Sequence, residues 1–121
     1  MGYRVIVAED NFINQKLMEK IFQSKGWDCT LVGDGGEVVN EVRNGNFDVV
    51  LMDISMPDMD GYEATQLIRE FNKDIPIIAI TANAILGFRE KCLESGMNDY
   101  ITKPFRKEEL FEKIEKNIPQ K

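Results

Sequence analysis

Residues 49–53 read Val49-Val50-Leu51-Met52-Asp53, four apolar side chains in an unbroken run closed by a carboxylate. A strand with one face in water alternates apolar and polar residues, whereas an unbroken run marks a strand covered on both faces. Val5-Ile6-Val7-Ala8 and Ile77-Ile78-Ala79-Ile80 have the same character. Working outward from these three, β-rich runs place strands at Tyr3–Ala8, Cys29–Val32, Val49–Met52, Ile77–Ile80 and Asp99–Ile101.

The stretches between the strands carry helical periodicity. The first helix is expected from about Asn11 to Lys25, with Ile13, Leu17, Ile21 and Phe22 on its inner face and Gly26 as its C-cap. The second runs from about Gly36 to Asn44, with Val38, Val39 and Val42 inward and Gly45 as its stop. The third, Gly61 to Phe71, carries Ala64, Leu67 and Ile68, and the fourth, Ala84 to Ser95, ends at Gly96. The fifth, Lys107 to Asn117, carries Leu110, Phe111, Ile114 and Ile118. Five strands alternating with five helices predict an α/β fold, a five-stranded parallel sheet with helices on both faces. A chain of 121 residues, 43% hydrophobic, fills one such core and is expected to form a single domain over residues 1–121 with no output domain.

Composition narrows the function. The chain has 15 basic and 21 acidic residues, a net charge of −6, and no basic run. Such a surface repels nucleic-acid phosphate, so no direct nucleic-acid binding is expected. The chain contains no histidine, which excludes Ser-His and Cys-His catalytic pairs and a histidine-based zinc site. Cys29 and Cys92 lack metal-ligand spacing and read as reduced packing residues. No apolar run has the length of a membrane span and no signal-peptide pattern is visible, so a soluble domain without direct membrane contact is expected.

In sheets of this kind ligands bind at the carboxyl ends of the strands. The first strand ends in Glu9-Asp10, the third in Asp53 and the fourth in Thr81, and the fifth is followed by Thr102-Lys103-Pro104. Three gathered carboxylates repel one another unless a cation joins them. Oxygen ligands without His or Cys favour Mg²⁺, Mn²⁺ or Ca²⁺ over zinc, and Mg²⁺ keeps coordination positions for water and phosphate oxygen. A metal, a lysine and a hydroxyl are the parts that stabilise a phosphoryl group in transfer, and a carboxylate can be its acceptor. Asp53 is the best candidate nucleophile because it closes a central strand. Each piece also has an ordinary reading. Glu9-Asp10 could cap a helix, Thr81 a strand end, Lys103 could be a solvated charge, and Asp60-Gly61 reads as a turn. Their convergence at the single ligand-binding edge favours the chemical reading.

The pieces Val7-Ala8-Glu9-Asp10-Asn11, Val50-Leu51-Met52-Asp53-Ile54-Ser55-Met56-Pro57, Met59-Asp60-Gly61, Ile80-Thr81-Ala82 and Tyr100-Ile101-Thr102-Lys103-Pro104-Phe105, in this order, resemble the receiver domain of response regulators over nearly the whole chain. The resemblance implies the doubly wound, flavodoxin-like (CheY-like) fold. It makes Asp53 the phosphoacceptor and has Asp10, Asp53 and the Ser55 backbone carbonyl bind Mg²⁺, with Mn²⁺ as a substitute. Glu9 acts through a metal-bound water; relatives often have Asp there. Lys103 pairs with the phosphoryl oxygens, and the Ala82 N–H approaches them. Thr81 and Tyr100 act as switch residues, Tyr100 turning inward. Lys103-Pro104 resembles the family's cis peptide, and Ser55 and Asn83 flank the path of attacking water. Asn14-Gln15, Thr81-Ala82-Asn83-Ala84 and Gly96-Met97-Asn98-Asp99-Tyr100 resemble receivers of hybrid histidine kinases and phosphorelays.

The implied function is a phosphoacceptor signalling domain. It assists its own phosphorylation and dephosphorylation and is not otherwise expected to be an enzyme. Its implied partners are a histidine kinase, a histidine phosphotransfer protein or both, met through the first helix near Asn14, Gln15 and Met18 and the loop after Lys103. The face built from the fourth helix, fifth strand and fifth helix carries the output and leaves room for a weak homodimer. A cytoplasmic setting follows, including the cytoplasmic part of a membrane-bound hybrid kinase. The alternatives are a phosphate-independent docking module and a Mg²⁺-dependent aspartyl-phosphate phosphatase. The dehalogenase-type phosphatases usually place a second Asp two residues after the nucleophile, where this chain has Ser55. A flavodoxin-like binding module would need a phosphate-binding Gly/Ser/Thr-rich loop after the first strand, where this chain has Glu9-Asp10-Asn11-Phe12.

Overall fold

The computed structural model describes residues 2–57 and 59–119. Strands β1 (Arg4–Ala8), β2 (Asp28–Val32), β3 (Val49–Asp53), β4 (Ile77–Thr81) and β5 (Asp99–Thr102) alternate with helices α1 (Phe12–Lys25), α2 (Gly35–Asn44), α3 (Gly61–Phe71), α4 (Phe88–Ser95) and α5 (Lys107–Asn117). The sheet is parallel throughout, in the order β2-β1-β3-β4-β5. Its central strands are buried on both faces. Ile6, Ala8, Val50, Met52, Ile77 and Ala79 pack toward α2, α3 and α4. Their neighbours Val5, Val7, Val49, Leu51, Ile78 and Ile80 pack toward α1 and α5. The strand order turns back at β1 and β3, and this reversal opens a crevice at their carboxyl ends.

Local chemistry sets the helix starts. Asn11, Asp34 and Asp60 cap α1, α2 and α3 by accepting the backbone N–H of Asn14, Glu37 and Glu63. The turn expected at Asp60-Gly61 is therefore a helix cap. Gly26 and Gly96 close α1 and α4 in the left-handed conformation.

Two helices differ from expectation. Helix α4 begins at Phe88 and not at Ala84. The Thr81 hydroxyl accepts from the Asn83 N–H at 3.1 Å and donates to the Asn83 carbonyl at 3.3 Å, folding the chain into a local turn. Gly87, at φ 85°, then holds the residue before the helix in the left-handed region. On α1, Ile13 and Leu17 lie outside the core, 75% and 56% exposed. Met18, expected at the partner surface, is buried instead. Two adjacent stripes, Ile13-Leu17-Ile21 and Met18-Phe22, compete for one sheet. The second wins because Phe22 joins an aromatic cluster, stacked on Trp27 at 6.1 Å and tilted against Phe111 at 6.1 Å.

Candidate functional site

β1 and β3 deliver three carboxylates to the crevice. Glu9, Asp10 and Asp53 each present an oxygen within 4.8 Å of the others. They sit in different environments. Glu9 is 2% exposed, Asp53 is 8% exposed, and Asp10 faces solvent. The Glu9 carboxylate is held at both oxygens, accepting from the Asn11 N–H at 3.0 Å and from Lys103 Nζ at 3.2 Å. Asp53 accepts the Ser55 N–H at 2.9 Å, and its other oxygen lies 4.0 Å from Lys103 Nζ. Burial pushes the Asp53 carboxyl up from its ordinary 3.8 to about 6. The Ser55 N–H and the Lys103 charge pull it down, and the neighbouring Glu9 pushes it further up.

Lys103 arrives from the opposite side. Its backbone N–H donates to the Thr81 carbonyl at 2.8 Å, and its peptide bond to Pro104 is cis. One ammonium thus lies between two buried carboxylates, nearer to Glu9 than to Asp53. Such a set is suited to a small hard cation. Thr81 is half-buried and its hydroxyl is occupied by Asn83, while Ala82 is exposed. Tyr100 is half-buried, edge-on to Phe88 at 5.1 Å; Phe88 in turn meets Tyr62 at 6.5 Å.

Two further contributors have contacts that their motifs in the sequence do not spell out. Gly61 packs directly against the end of β3. A Cβ there would lie 2.7 Å from the Asp53 carbonyl and 2.9 Å from Met52 Cγ. Gln15, expected at the partner surface, reaches back with its Nε2 to the Glu9 carbonyl at 2.6 Å. The one available hint is its place one turn inside α1, because helical side chains lean toward the N-terminus and so toward Glu9.

The family profile described as response regulator receiver domain matches residues 5–115. The chain belongs to the response regulator receiver domain family. Among this receiver's relatives is hybrid signal transduction histidine kinase I of Dictyostelium discoideum, 44% identical over 95% of the chain and 7% of that protein. The receiver domain of sensor histidine kinase PA1611 from Pseudomonas aeruginosa PAO1, solved with a magnesium ion in its active-site cleft, is 42% identical. It matches with a TM-score of 0.89 over 97% of this chain and 98% of that one. The receiver domain of Ssk1 from Saccharomyces cerevisiae, solved with the histidine phosphotransfer protein Ypd1, is 31% identical, with a TM-score of 0.88 over 96% and 88% of the two chains. The receiver spans only 7% to 12% of the length of the curated sensor and hybrid kinases it matches. Among the described residues no helix is long and apolar enough to cross a membrane.

Proposed function

We propose that this receiver is the phosphoacceptor of a two-component or phosphorelay system and that Asp53 takes its phosphoryl group from a phosphohistidine on a partner. The observation that carries this reading is the buried Asp53 at the strand-order reversal, among Glu9 and Asp10 and within 4.0 Å of Lys103. The all-oxygen donor set fits Mg²⁺, with Mn²⁺ as a substitute. Asp10, Asp53 and the Ser55 backbone carbonyl would hold the ion. Glu9, with both oxygens already engaged, would act through water. Once bound, the metal neutralises charge on the phosphoryl oxygens.

The chain's own residues do the rest. An ionised Asp53 oxygen attacks phosphorus; the new P–O bond forms as the P–N bond breaks, and the departing imidazole keeps the electron pair. Lys103 turns from Glu9 toward the phosphoryl oxygens, and the Ala82 N–H donates to them. The product places a charge of about −2 at the crevice. The Thr81 hydroxyl then exchanges Asn83 for the phosphoryl group, and Tyr100 moves inward. This shifts the face built from α4, β5 and α5 toward a second conformation.

The partner meets α1. A cavity of about 430 Å³ beside Lys103 is lined by Asn14, Leu17, Met18, Ile21, Pro104 and Phe105, a largely apolar groove leading to the acidic crevice. A histidine kinase or a histidine phosphotransfer protein, of the kind seen with the Ssk1 receiver, would seat a helix there. The setting we propose is cytoplasmic, alone or within a hybrid kinase.

Intact-mass spectrometry after incubation with acetyl phosphate tests this reading. The wild-type chain is expected to gain one phosphoryl mass only with Mg²⁺, and Asp53→Asn none. A wild type that neither gains the mass nor binds beryllofluoride would instead be a phosphate-independent docking module.

A further inference from the structure

We infer that Gln15 is a positioning residue for the metal site, holding the backbone that aims Asp10, and not primarily a partner contact. The inference rests on the Mg²⁺-dependent reading above and extends it to a residue outside the carboxylate cluster. Asp10 is exposed, and among the described residues no hydrogen bond holds its side chain. The direction of its Cα–Cβ bond is set by the peptide planes on either side of its Cα. The preceding plane ends in the Glu9 carbonyl, which accepts Gln15 Nε2 at 2.6 Å. The following plane carries the Asn11 N–H, which donates to Glu9 Oε2 at 3.0 Å. The Glu9 N–H is itself paired to the Val32 carbonyl at 3.0 Å, so β2 fixes the chain just before the clamp.

The two clamps differ in durability. The Asn11 clamp uses the Glu9 carboxylate, the group that would be drawn toward a metal-bound water. The Gln15 clamp uses a neutral amide on a backbone carbonyl and is untouched by that change. Gln15 is half-buried, its own N–H is committed to the Asn11 carbonyl at 2.9 Å, and its amide nitrogen sits near Gly33 at the end of β2. Groups that orient metal ligands without touching the metal commonly shift affinity by about 10- to 100-fold. Gln15 acts on backbone and on one ligand, which places it at the lower end.

The test is Mn²⁺ binding to the full 121-residue chain, read by electron paramagnetic resonance of the free ion. It is paired with the Mg²⁺ dependence of phosphorylation by acetyl phosphate. Gln15→Met and Gln15→Ala are compared with wild type, and alanine is the strongest helix former, so a loss in that variant does not reflect a weakened α1. Both variants are expected to bind Mn²⁺ about tenfold more weakly and to need about tenfold more Mg²⁺ for half-maximal rate. The plateau rate at saturating Mg²⁺ should stay near that of wild type. Unchanged metal affinity with slower transfer from a phosphohistidine partner would overturn the inference and return Gln15 to the docking surface. A plateau that falls with unchanged metal dependence would overturn it too. A wild type that binds no Mn²⁺ would overturn the underlying metal reading, an outcome distinct from a wild type and variants that bind equally.

Discussion

Replacing Asp53 by asparagine should stabilise the metal-free protein, because the wild-type carboxylate is ionised where the fold disfavours its charge. Burial and the adjacent Glu9 raise the Asp53 carboxyl from 3.8 to about 6. At about 1.4 kcal/mol for each tenfold step in proton affinity, ionised Asp53 is roughly 3 kcal/mol costlier in the folded chain than in the unfolded one. The sign follows from the raised value. The cost is fully present above about pH 6, shrinks as pH falls, and is gone below about pH 4, where both states are protonated. Asparagine carries no charge at any of these pH values and can still accept the Ser55 N–H. The shift to about 6 already includes the attraction to Lys103 that asparagine gives up, so the net gain near neutral pH is about 3 kcal/mol, or about 12 °C in Tm for a chain of this size. Urea unfolding of both proteins in EDTA, from about pH 4 to pH 8, measures the gap directly. The two curves should converge at the acid end, and saturating Mg²⁺ should stabilise wild type more than the variant. A gap that is absent at neutral pH, or constant across the range, would refute the account of Asp53 as a strained charge.

Other substitutions probe the surrounding parts. Gly61→Ala would drive a Cβ into the Asp53 carbonyl and the Ile54 Cα, at 2.7 and 3.1 Å. Since backbone cannot step aside, it should cost about 1–3 kcal/mol in urea unfolding and slow phosphorylation by small donors. Lys103→Ala leaves the buried Glu9 carboxylate without its cation and is expected to cost about 1–3 kcal/mol, with intact mass showing little or no phosphoryl gain. Leu17→Glu, on an exposed position of α1, should change stability by no more than about 0.5 kcal/mol and leave acetyl phosphate labelling intact. Its transfer from a phosphohistidine partner should slow. Met18→Glu would instead bury a charge in the core and should unfold the chain, visible as loss of a cooperative thermal transition.

The sheet was legible in the sequence because its central strands are covered on both faces; a half-exposed strand would have broken each apolar run with polar residues. The positions of Glu9, Asp10, Asp53, Thr81 and Lys103 followed from strand ends alone. Helix α1 was harder. Its two apolar stripes satisfy the same 3.6-residue period, and the choice between them rests on contacts with Trp27 and Phe111, which lie outside the helix. The start of α4 was hidden differently. Ala84 and Leu86 favour helix, but the Thr81 hydroxyl captures the Asn83 backbone first, and Gly87 then takes a left-handed conformation. Side-chain capture of backbone leaves no periodic mark. The contact made by Gln15 was not legible because it runs to a carbonyl oxygen, which carries no residue-type signature.

The structure divides the site into parts held fast and parts free to move. Asp53 closes a strand buried along its full length, Glu9 is tied at its N–H, its carbonyl and both carboxylate oxygens, and interiors packed this closely resist small displacements. On the other side of the crevice the backbone is paired, with the Thr81 carbonyl accepting the Lys103 N–H, but the side chains have fewer ties. Thr81 bonds to a loop two residues away, Tyr100 rests edge-on against the first residue of α4, and residues 82–87 leave Ile85 and Leu86 exposed. Added charge at Asp53 would therefore be answered by the β4–α4 side and not by the carboxylate side. Rearranging the Thr81 side chain breaks bonds only within its own turn, whereas displacing Glu9 breaks pairing to β2, α1 and Lys103 together. The direction of any response to charge added there is thus set by which side of the crevice has the fewer ties.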